Sequence, residues 1–139
     1  MIDPEFDEYE AFVKGMEAKF PEMFASPYGG FAVGKGWLPI LEKLCDNIQS
    51  HIDWKNEQYH KYNRGEPVTQ VTVAQIKEKF GGLRFYYDGG DEQIYGMVRM
   101  AESWASVVCE ECGSVGKSRG GGGEWIRTLC DIHYKQPDQ

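Results

Sequence analysis

The sequence predicts an α+β fold in which helices pack on a small antiparallel sheet or hairpin, with a small metal-binding element at the C-terminal end. Three observations predict this class. Apolar residues recur at helical spacing in three segments, two strand-like runs meet at a pair of glycines, and paired cysteines and a histidine lie near the end of the chain. The 139 residues, 41% of them hydrophobic, suffice for one domain with a real core. Because no internal repeat is visible, we expect residues 1–139 to form a single domain.

The first helix is predicted to begin near the N-terminal end of the chain. Asp3 followed by Pro4 is typical of an N-cap with proline at the first helical position. Helical spacing then links the apolar residues Phe6, Tyr9, Phe12, Val13, Met16 and Phe20. Pro21 should end this helix, because proline cannot continue the helical hydrogen-bond pattern. The glycine-rich segment 26–36 predicts a connector or a mobile flap.

The second helix is predicted from about Trp37 to Tyr59. One face of it is apolar and carries Trp37, Ile40, Leu41, Leu44, Cys45, Ile48 and Ile52. Because Cys45 lies on this stripe, we interpret it as a buried core thiol. His51 and His60 stand alone in the sequence and are interpreted as structural or solvated residues.

Two strands and a third helix are predicted next. The run from 67 to 80 (PVTQVTVAQIKEKF) is typical of a strand, Gly81 and Gly82 of a two-residue turn, and 83–88 (LRFYYD) of the return strand. Asp91 is then positioned to cap a helix from Glu92 to Val108.

With Gly81 and Gly82 as the turn, the predicted hairpin has two different faces. Lys79 then faces Arg84, and Lys77 faces Tyr86. The mostly apolar face, expected to meet the helices, carries Ile76, Phe80, Leu83, Phe85 and Tyr87, with Glu78 among them. The other face carries Lys77, Lys79, Arg84 and Tyr86, which we call the basic face.

Like charges directly opposite each other destabilise a sheet, so the basic face requires neutralisation. One explanation is that acidic residues of the first half of the chain, or of another subunit, supply it. The other is a bound anion, in particular a ligand that bears phosphate, since arginine grips phosphate with two hydrogen bonds, lysine adds a point charge and tyrosine can stack or donate a hydrogen bond. Arg127, beside Trp125, is a further candidate contact.

The strongest chemical signal is the pattern C-x2-C-x17-C-x2-H near the end of the chain. Two short ligand pairs separated by a hairpin-sized segment are typical of a tetrahedral zinc site, here formed by Cys109, Cys112, Cys130 and His133. We predict a zinc-ribbon-like element over about 109–134, with Gly113 in a tight knuckle and a strand at 124–129. Four ligands close the coordination shell, so the predicted Zn²⁺ is structural.

The glycine-rich stretch between the two ligand pairs has two interpretations. Gly116-Lys117-Ser118 resembles the end of a phosphate-binding P-loop, but Glu111 stands where the first glycine of that motif belongs, so we reject this motif. Residues 117–123 are predicted to be a flexible loop tip. The alternative is that their amides and the side chains of Lys117 and Arg119 close over a phosphate.

Charge and composition restrict the classes of function. The net charge of −7 argues against broad, non-specific binding to nucleic acid, although it allows a local basic patch. No apolar run approaches a membrane span, and the acidic N-terminus is unlike a signal peptide. These features predict a protein of a reducing cytoplasm without a membrane partner, in which four cysteines indicate metal or free thiols.

Parts of the sequence also resemble a family of small phage and prophage proteins. The similar blocks are GWLPILEKLCDNI, VTVAQIKEKFGGLRFYYDGG and CEECG…EWIRTLCDIH, and together they extend over roughly Trp37 to His133. Relatives often have cysteine where His133 stands. The resemblance implies the cytoplasm of a bacterial host, where small phage proteins of this kind often act on host defence or nucleic-acid metabolism.

These observations lead to one main hypothesis and two rivals. The main hypothesis is a zinc-stabilised binding protein that captures a small anionic, nucleotide-like ligand and so sequesters a host defence signal. The first rival is a zinc-dependent adaptor that binds nucleic acid or a host protein, and either protein could be a homo-oligomer. The second rival is an enzyme, for which the sequence shows no catalytic set, although distant residues such as His51, Asp53 and Tyr86 could converge.

Overall fold

The fold of the chain is a mixture of helices and small sheets. A computed structural model describes residues 4–135, with side chains from residue 7 onward, so the predicted cap at Asp3 and the side chain of Phe6 lie outside the described residues. The helices are α1 (Pro4–Lys19), α2 (Leu38–Tyr62), α3 (Glu92–Ala105) and α4 (Asp131–Lys135), and a short 3-10 helix spans Lys35–Trp37. The strands are β1 (Phe31–Ala32), β2 (Thr72–Lys79), β3 (Gly82–Asp88), β4 (Lys117–Gly121) and β5 (Glu124–Leu129). In this part of the chain, no helix is long and apolar enough to cross a membrane.

Helix α3 begins where the sequence predicts and ends earlier. The side chain of Asp91 accepts a hydrogen bond from the Ile94 N–H at 3.0 Å, which confirms the predicted N-cap. The prediction that the helix continues to Val108 is wrong, because the helix ends at Ala105. Val108 instead forms a bridge with Val115, and its carbonyl accepts a hydrogen bond from the Trp37 indole at 2.8 Å.

The hydrophobic core lies between helices α1 to α3 and the inner face of the β2–β3 hairpin. Its fully buried side chains include Met16, Met23, Trp37, Leu41, Ile48, Ile52, Ile76 and Leu83. Each such side chain contributes about 1.5–3 kcal/mol relative to an exposed position. Cys45 is fully buried in the same cluster, and burial raises the pKa of its thiol to about 12, which confirms the predicted core thiol.

The three-stranded sheet has the order β1-β2-β3, with β1 parallel to β2 and β2 antiparallel to β3. The segment predicted as a connector or flap thus contains a short strand. On the outer side of β3, the Phe85 N–H donates a hydrogen bond to the Glu102 carboxylate of α3 at 2.9 Å. A backbone donor on the free edge of β3 is therefore satisfied by a side chain of α3.

The turn of the β2–β3 hairpin differs from the prediction. The turn residues are Phe80 and Gly81, both with positive φ (53° and 80°), and not the two glycines. Lys79 pairs with Gly82, and Arg84 lies opposite Lys77 rather than opposite Lys79. The predicted pairs of Lys79 with Arg84 and of Lys77 with Tyr86 are therefore wrong.

Tertiary contacts explain this register. The Gly81 carbonyl accepts a buried hydrogen bond from the Thr128 hydroxyl of β5 at 2.7 Å, and the Gly81 N–H donates to the Glu78 carboxylate at 2.9 Å. The register shifts by two residues, so each side chain keeps its predicted face. Phe80 is the exception: it was expected on the apolar face, but as a turn residue it is 73% exposed.

The segment between the two predicted metal-ligand pairs contains a strand, β4, where a flexible loop tip was predicted. β4 pairs antiparallel with β5 over Lys117–Gly121, so the loop prediction is wrong for these residues. Arg119 explains the order, because its guanidinium donates to the Leu129 carbonyl at 3.1 Å and to the Asp131 carboxylate at 2.6 Å.

The 3-10 helix holds the C-terminal element against the main core. The Gly36 N–H donates to the Glu110 carbonyl at 2.7 Å, and the Gly34 N–H donates to the Glu110 carboxylate at 2.7 Å. A Cβ on Gly36 would lie 2.1 Å from the Cys109 carbonyl oxygen, so only glycine fits this approach.

Substituting Gly36 should therefore weaken the whole fold. We expect Gly36→Ala to lower the free energy of unfolding by about 2–3 kcal/mol, because the backbones must separate. Gly96→Ala is the matched control: Gly96 lies within α3 with nothing near its position for a Cβ, and alanine should raise stability by about 0.5–1 kcal/mol. Urea unfolding of the wild type and both variants measures these changes. If Gly36→Ala is as stable as the wild type, the close contact is refuted.

A second link joins helices α2 and α3. Nε2 of His51, a largely buried side chain, lies 2.8 Å from Oδ2 of Asp91. Burial by itself raises the pKa of Asp91, but the hydrogen bonds from His51 and the Ile94 N–H, with the charge of Lys55, hold it below its usual value. A carboxylate with a depressed pKa stabilises the fold above its unfolded-state pKa of about 3.9, and this stabilisation is lost as the pH falls through the folded-state value.

Asp91→Asn should show this pH dependence, since asparagine keeps a capping side chain but removes the charge. We expect the variant to be less stable than the wild type by about 1 kcal/mol at pH 7, and this difference to shrink towards zero below about pH 4. Urea unfolding at pH 7 and pH 3 measures it, with Asp88→Asn as the control at an exposed strand end. A difference of the same size at both pH values would contradict the charge contribution.

Candidate metal site and basic face

The first pair of candidate metal ligands lies in a tight knuckle. The Gly113 N–H donates to the Cys109 carbonyl at 2.9 Å, and the Cys109 N–H donates to the Ser114 carbonyl at 2.7 Å. Gly113 has a φ of 85°, a conformation that favours glycine and confirms its predicted place in the knuckle. These bonds turn the chain so that Cys109 and Cys112 present their thiols to one side.

The second pair lies where β5 meets α4. Cys130 follows the strand, and His133 lies in the first turn of the helix, with its N–H 3.5 Å from the Cys130 sulfur. Arg119 holds this helix by its bond to Asp131 and by stacking over the Tyr134 ring, 4.7 Å from the centroid. Pairing of β4 with β5 thus returns the second pair to the knuckle.

Together the four side chains could hold one metal ion. Their ligand atoms all lie within 4.8 Å of one another. Nδ1 of His133 lies 3.7 Å from the Cys109 sulfur and 3.3 Å from the Cys130 sulfur, and the Cys112 and Cys130 sulfurs are 3.8 Å apart. The spacing of the sequence correctly predicts which residues come together.

Local hydrogen bonds favour the thiolate, the form of cysteine that binds metals, at two of the three clustered cysteines. Bonds from the side chain and backbone of Ser114 lower the pKa of Cys112 to about 6. The backbone N–H of His133 lowers the pKa of Cys130, whereas burial raises that of Cys109. Hydrogen bonding to Cys130 raises the pKa of His133.

Glu110, between the two knuckle cysteines, is a structural residue that the sequence analysis missed. It is buried; burial raises the pKa of its carboxyl, while the Gly34 N–H and the charge of Arg127 act in the opposite direction. The local sequence does not indicate this role, because glutamate is usually exposed. Its neighbour Glu111 forms an ion pair with Arg127.

The predicted anion-binding residues lie in two places. Lys77 and Arg84 are paired across the hairpin, Tyr86 follows Arg84 on the same face, and the Lys77 ammonium lies 5.9 Å from the Tyr86 ring centroid. Lys79 lies two residues after Lys77 on β2. Arg127 is different: its backbone adjoins Gly81, but its guanidinium contacts Glu111 in the knuckle.

The basic face has no acidic partner within the described part of the chain. Among the side chains of residues 7–135, no carboxylate lies within ion-pair distance of Lys77, Lys79 or Arg84. The Arg84 guanidinium donates to the neighbouring Leu83 carbonyl at 3.2 Å and lies over Gly82. Lys77 and Arg84 are half-buried, and Lys79 and Tyr86 are exposed. Among these residues, acidic side chains of the first half of the chain therefore do not form ion pairs with the basic face.

An apolar groove between α2 and α3 is a separate surface. This open groove has a volume of about 460 Å³. Its lining includes Ile40, Met97, Met100 and Trp104, and among the described residues Lys43 is its one charged lining residue. Such a groove suits an apolar contact rather than an anion.

The three residues considered for a catalytic set have different neighbours. His51 contacts Asp91, Asp53 accepts a hydrogen bond from Gln49 at 3.0 Å, and Tyr86 lies beside Lys77. Each of the three residues thus has a different recorded neighbour.

Comparison with known proteins gives no family. No protein-family model matches the chain, and no similar curated protein or solved structure was found. The resemblance to phage proteins, carried by the KEKFGGLRFY block and the two ligand pairs, stays a prediction.

The ligand cluster predicts one metal ion per chain. Elemental analysis and native mass spectrometry of the purified protein should find it, and Cys112→Ser should lose it. Cys45→Ala is the control, because Cys45 lies in the core and its loss should reduce stability but not metal content. A wild-type protein that stays free of metal after exposure to zinc would contradict the site.

Proposed function

We propose that this protein is a zinc-stabilised binding protein that captures a small anionic, nucleotide-like ligand on its basic face. The observation that carries the proposal is a hairpin face with three cations and a tyrosine, which has no acidic partner among the described side chains. A sheet that places Lys77 opposite Arg84 is destabilised unless an anion shares the charge.

The chemistry of the four ligands supports zinc as the metal. Three thiols and an imidazole form a common structural zinc set, with zinc–sulfur bonds of about 2.3 Å. A tetrahedron of such bonds has edges of about 3.8 Å, and the Cys112 and Cys130 sulfurs are 3.8 Å apart. Cys109, Cys112, Cys130 and His133 would fill all four positions, so the zinc would stabilise the C-terminal fold and leave no position for a catalytic water.

The side chains of the basic face suit phosphate. Arginine can donate two parallel hydrogen bonds to phosphate oxygens, and lysine adds charge without a fixed geometry. Arg84 and Lys77 are half-buried, so their charges are less screened by water than fully exposed ones. The Tyr86 hydroxyl can donate a further hydrogen bond, or its ring can stack on a base.

The resemblance to phage proteins supports a biological setting for this activity. In the cytoplasm of a bacterial host, capture of a signalling nucleotide would lower its free concentration and so inhibit a defence that depends on it. The alternative is an adaptor. A nucleic acid would use the same basic face, whereas a protein partner would suit the groove between α2 and α3.

Binding to the basic face should depend on Arg84. We expect inorganic tripolyphosphate and ribonucleoside triphosphates to bind the wild type, and Arg84→Ala to weaken binding at least about tenfold, as loss of a charged hydrogen bond does. Affinity should fall as salt rises. Arg99→Ala, at an exposed position on α3, is the matched control. Isothermal titration calorimetry measures all of these affinities.

The outcomes separate the rival functions. Equal binding by the wild type and Arg84→Ala would show that the basic face is not the site. If a single-stranded oligonucleotide binds and the small phosphates do not, the adaptor replaces the proposal. Turnover of the triphosphates, assayed with and without chelator, would indicate an enzyme instead.

A further inference from the structure

We infer that a cleft at the tip of the hairpin binds the nucleobase of the captured ligand, while its phosphates lie on the basic face. This inference rests on the proposed function and names the class of ligand. The cleft lies between the β2–β3 turn and β5, and it encloses about 400 Å³, near the lower end of the range for small-molecule sites. Its lining residues are Glu78, Lys79, Phe80, Glu124, Trp125 and Ile126.

Two aromatic side chains from different elements line this cleft. Phe80 is 73% exposed and Trp125 is 79% exposed, so neither contributes much to the core. Flat, accessible rings are the groups on which nucleobases stack in proteins that bind single nucleotides or strands. The cleft therefore offers two stacking surfaces without rearrangement of the core.

The backbone of Phe80 is evidence that its ring has a role beyond folding. Phe80 has a φ of 53°, a left-handed conformation that bulky residues rarely adopt. The first position of a turn of this kind favours asparagine, aspartate or glycine. A phenyl ring at this position strains the backbone and packs little apolar surface, and outliers of this kind cluster at functional sites.

Lys79 connects the cleft to the basic face. It lines the cleft and lies on the same face of β2 as Lys77, about 7 Å along the strand. A ribose and its first phosphates can extend over this distance, so one nucleotide could reach from the cleft to Lys77 and Arg84.

The carboxylates in the cleft determine which end of the ligand enters it. Glu78 and Glu124 both line the cleft and would repel phosphate. A neutral base is accepted, and its amino or imino N–H groups could donate to these carboxylates. The charge pattern thus orients a nucleotide with its base at the tip and its phosphates towards Arg84.

Two substitutions test the cleft against two probes. The probes are the four ribonucleoside 5′-triphosphates and inorganic tripolyphosphate, which lacks a base. We expect at least one nucleotide to bind the wild type about tenfold more tightly than tripolyphosphate, in keeping with the usual contribution of base stacking. Phe80→Asn and Trp125→Ala should remove this advantage while leaving tripolyphosphate binding unchanged.

The variants are chosen so that misfolding cannot explain the result. Asparagine tolerates the left-handed conformation, so Phe80→Asn should melt at the same temperature as the wild type or higher. Trp54→Ala, which removes an exposed tryptophan of α2 outside the cleft, should leave both affinities unchanged.

Each outcome then decides one question. If Phe80→Asn and Trp125→Ala bind nucleotides like the wild type while Arg84→Ala does not, the base lies elsewhere; the inference is overturned and the proposed function stands. The inference is also overturned if tripolyphosphate and every nucleotide bind the wild type equally tightly. If the wild type binds neither class of probe, the proposed function fails and the inference fails with it.

Discussion

The close contact between the 3-10 helix and the metal-ligand knuckle is the constraint on which the rest of the structure depends. Gly36 and Gly34 donate to the carbonyl and carboxylate of Glu110, while the Glu110 N–H donates to the Thr128 carbonyl at 3.0 Å. One buried residue is thus bonded to both the main core and β5. Because Cys109 and Cys112 lie on either side of it, this contact positions half of the candidate metal ligands and joins the C-terminal element to the main core.

Strand β5 connects this contact to the tip of the β2–β3 hairpin. β5 carries Thr128, whose hydroxyl donates to the Gly81 carbonyl, and the same strand leads to Cys130 at the candidate metal site. A metal ion would therefore stabilise the strand that supports the tip, although it lies outside the cleft and the basic face. A face held in this way is preorganised, so a ligand would lose little conformational entropy of the protein on binding.

Features of this chain that depend on local sequence patterns could be predicted from the sequence. Apolar periodicity and the cap at Asp91 predicted helices α1 to α3 but not α4, and the spacing of cysteines and histidine predicted the candidate ligand cluster. The predictions were wrong where tertiary contacts determine the local structure. The glycine pair favoured a turn one residue later, but the bond from Thr128 to Gly81 selects the turn at Phe80 and Gly81. The strand Lys117–Gly121 was hidden because glycine has little strand propensity, and pairing with β5 overrides it.

The bond from the Phe85 N–H to Glu102 has a consequence for self-association. A sheet edge with free donors can recruit a strand from another molecule, and this is a common route to aggregation. Here the Glu102 carboxylate of α3 accepts a hydrogen bond from a donor on the outer side of β3, and a strand added there would have to break this charged hydrogen bond. If copies of this chain associate, a contact through helix surfaces such as the apolar groove between α2 and α3 is therefore favoured over extension of the sheet.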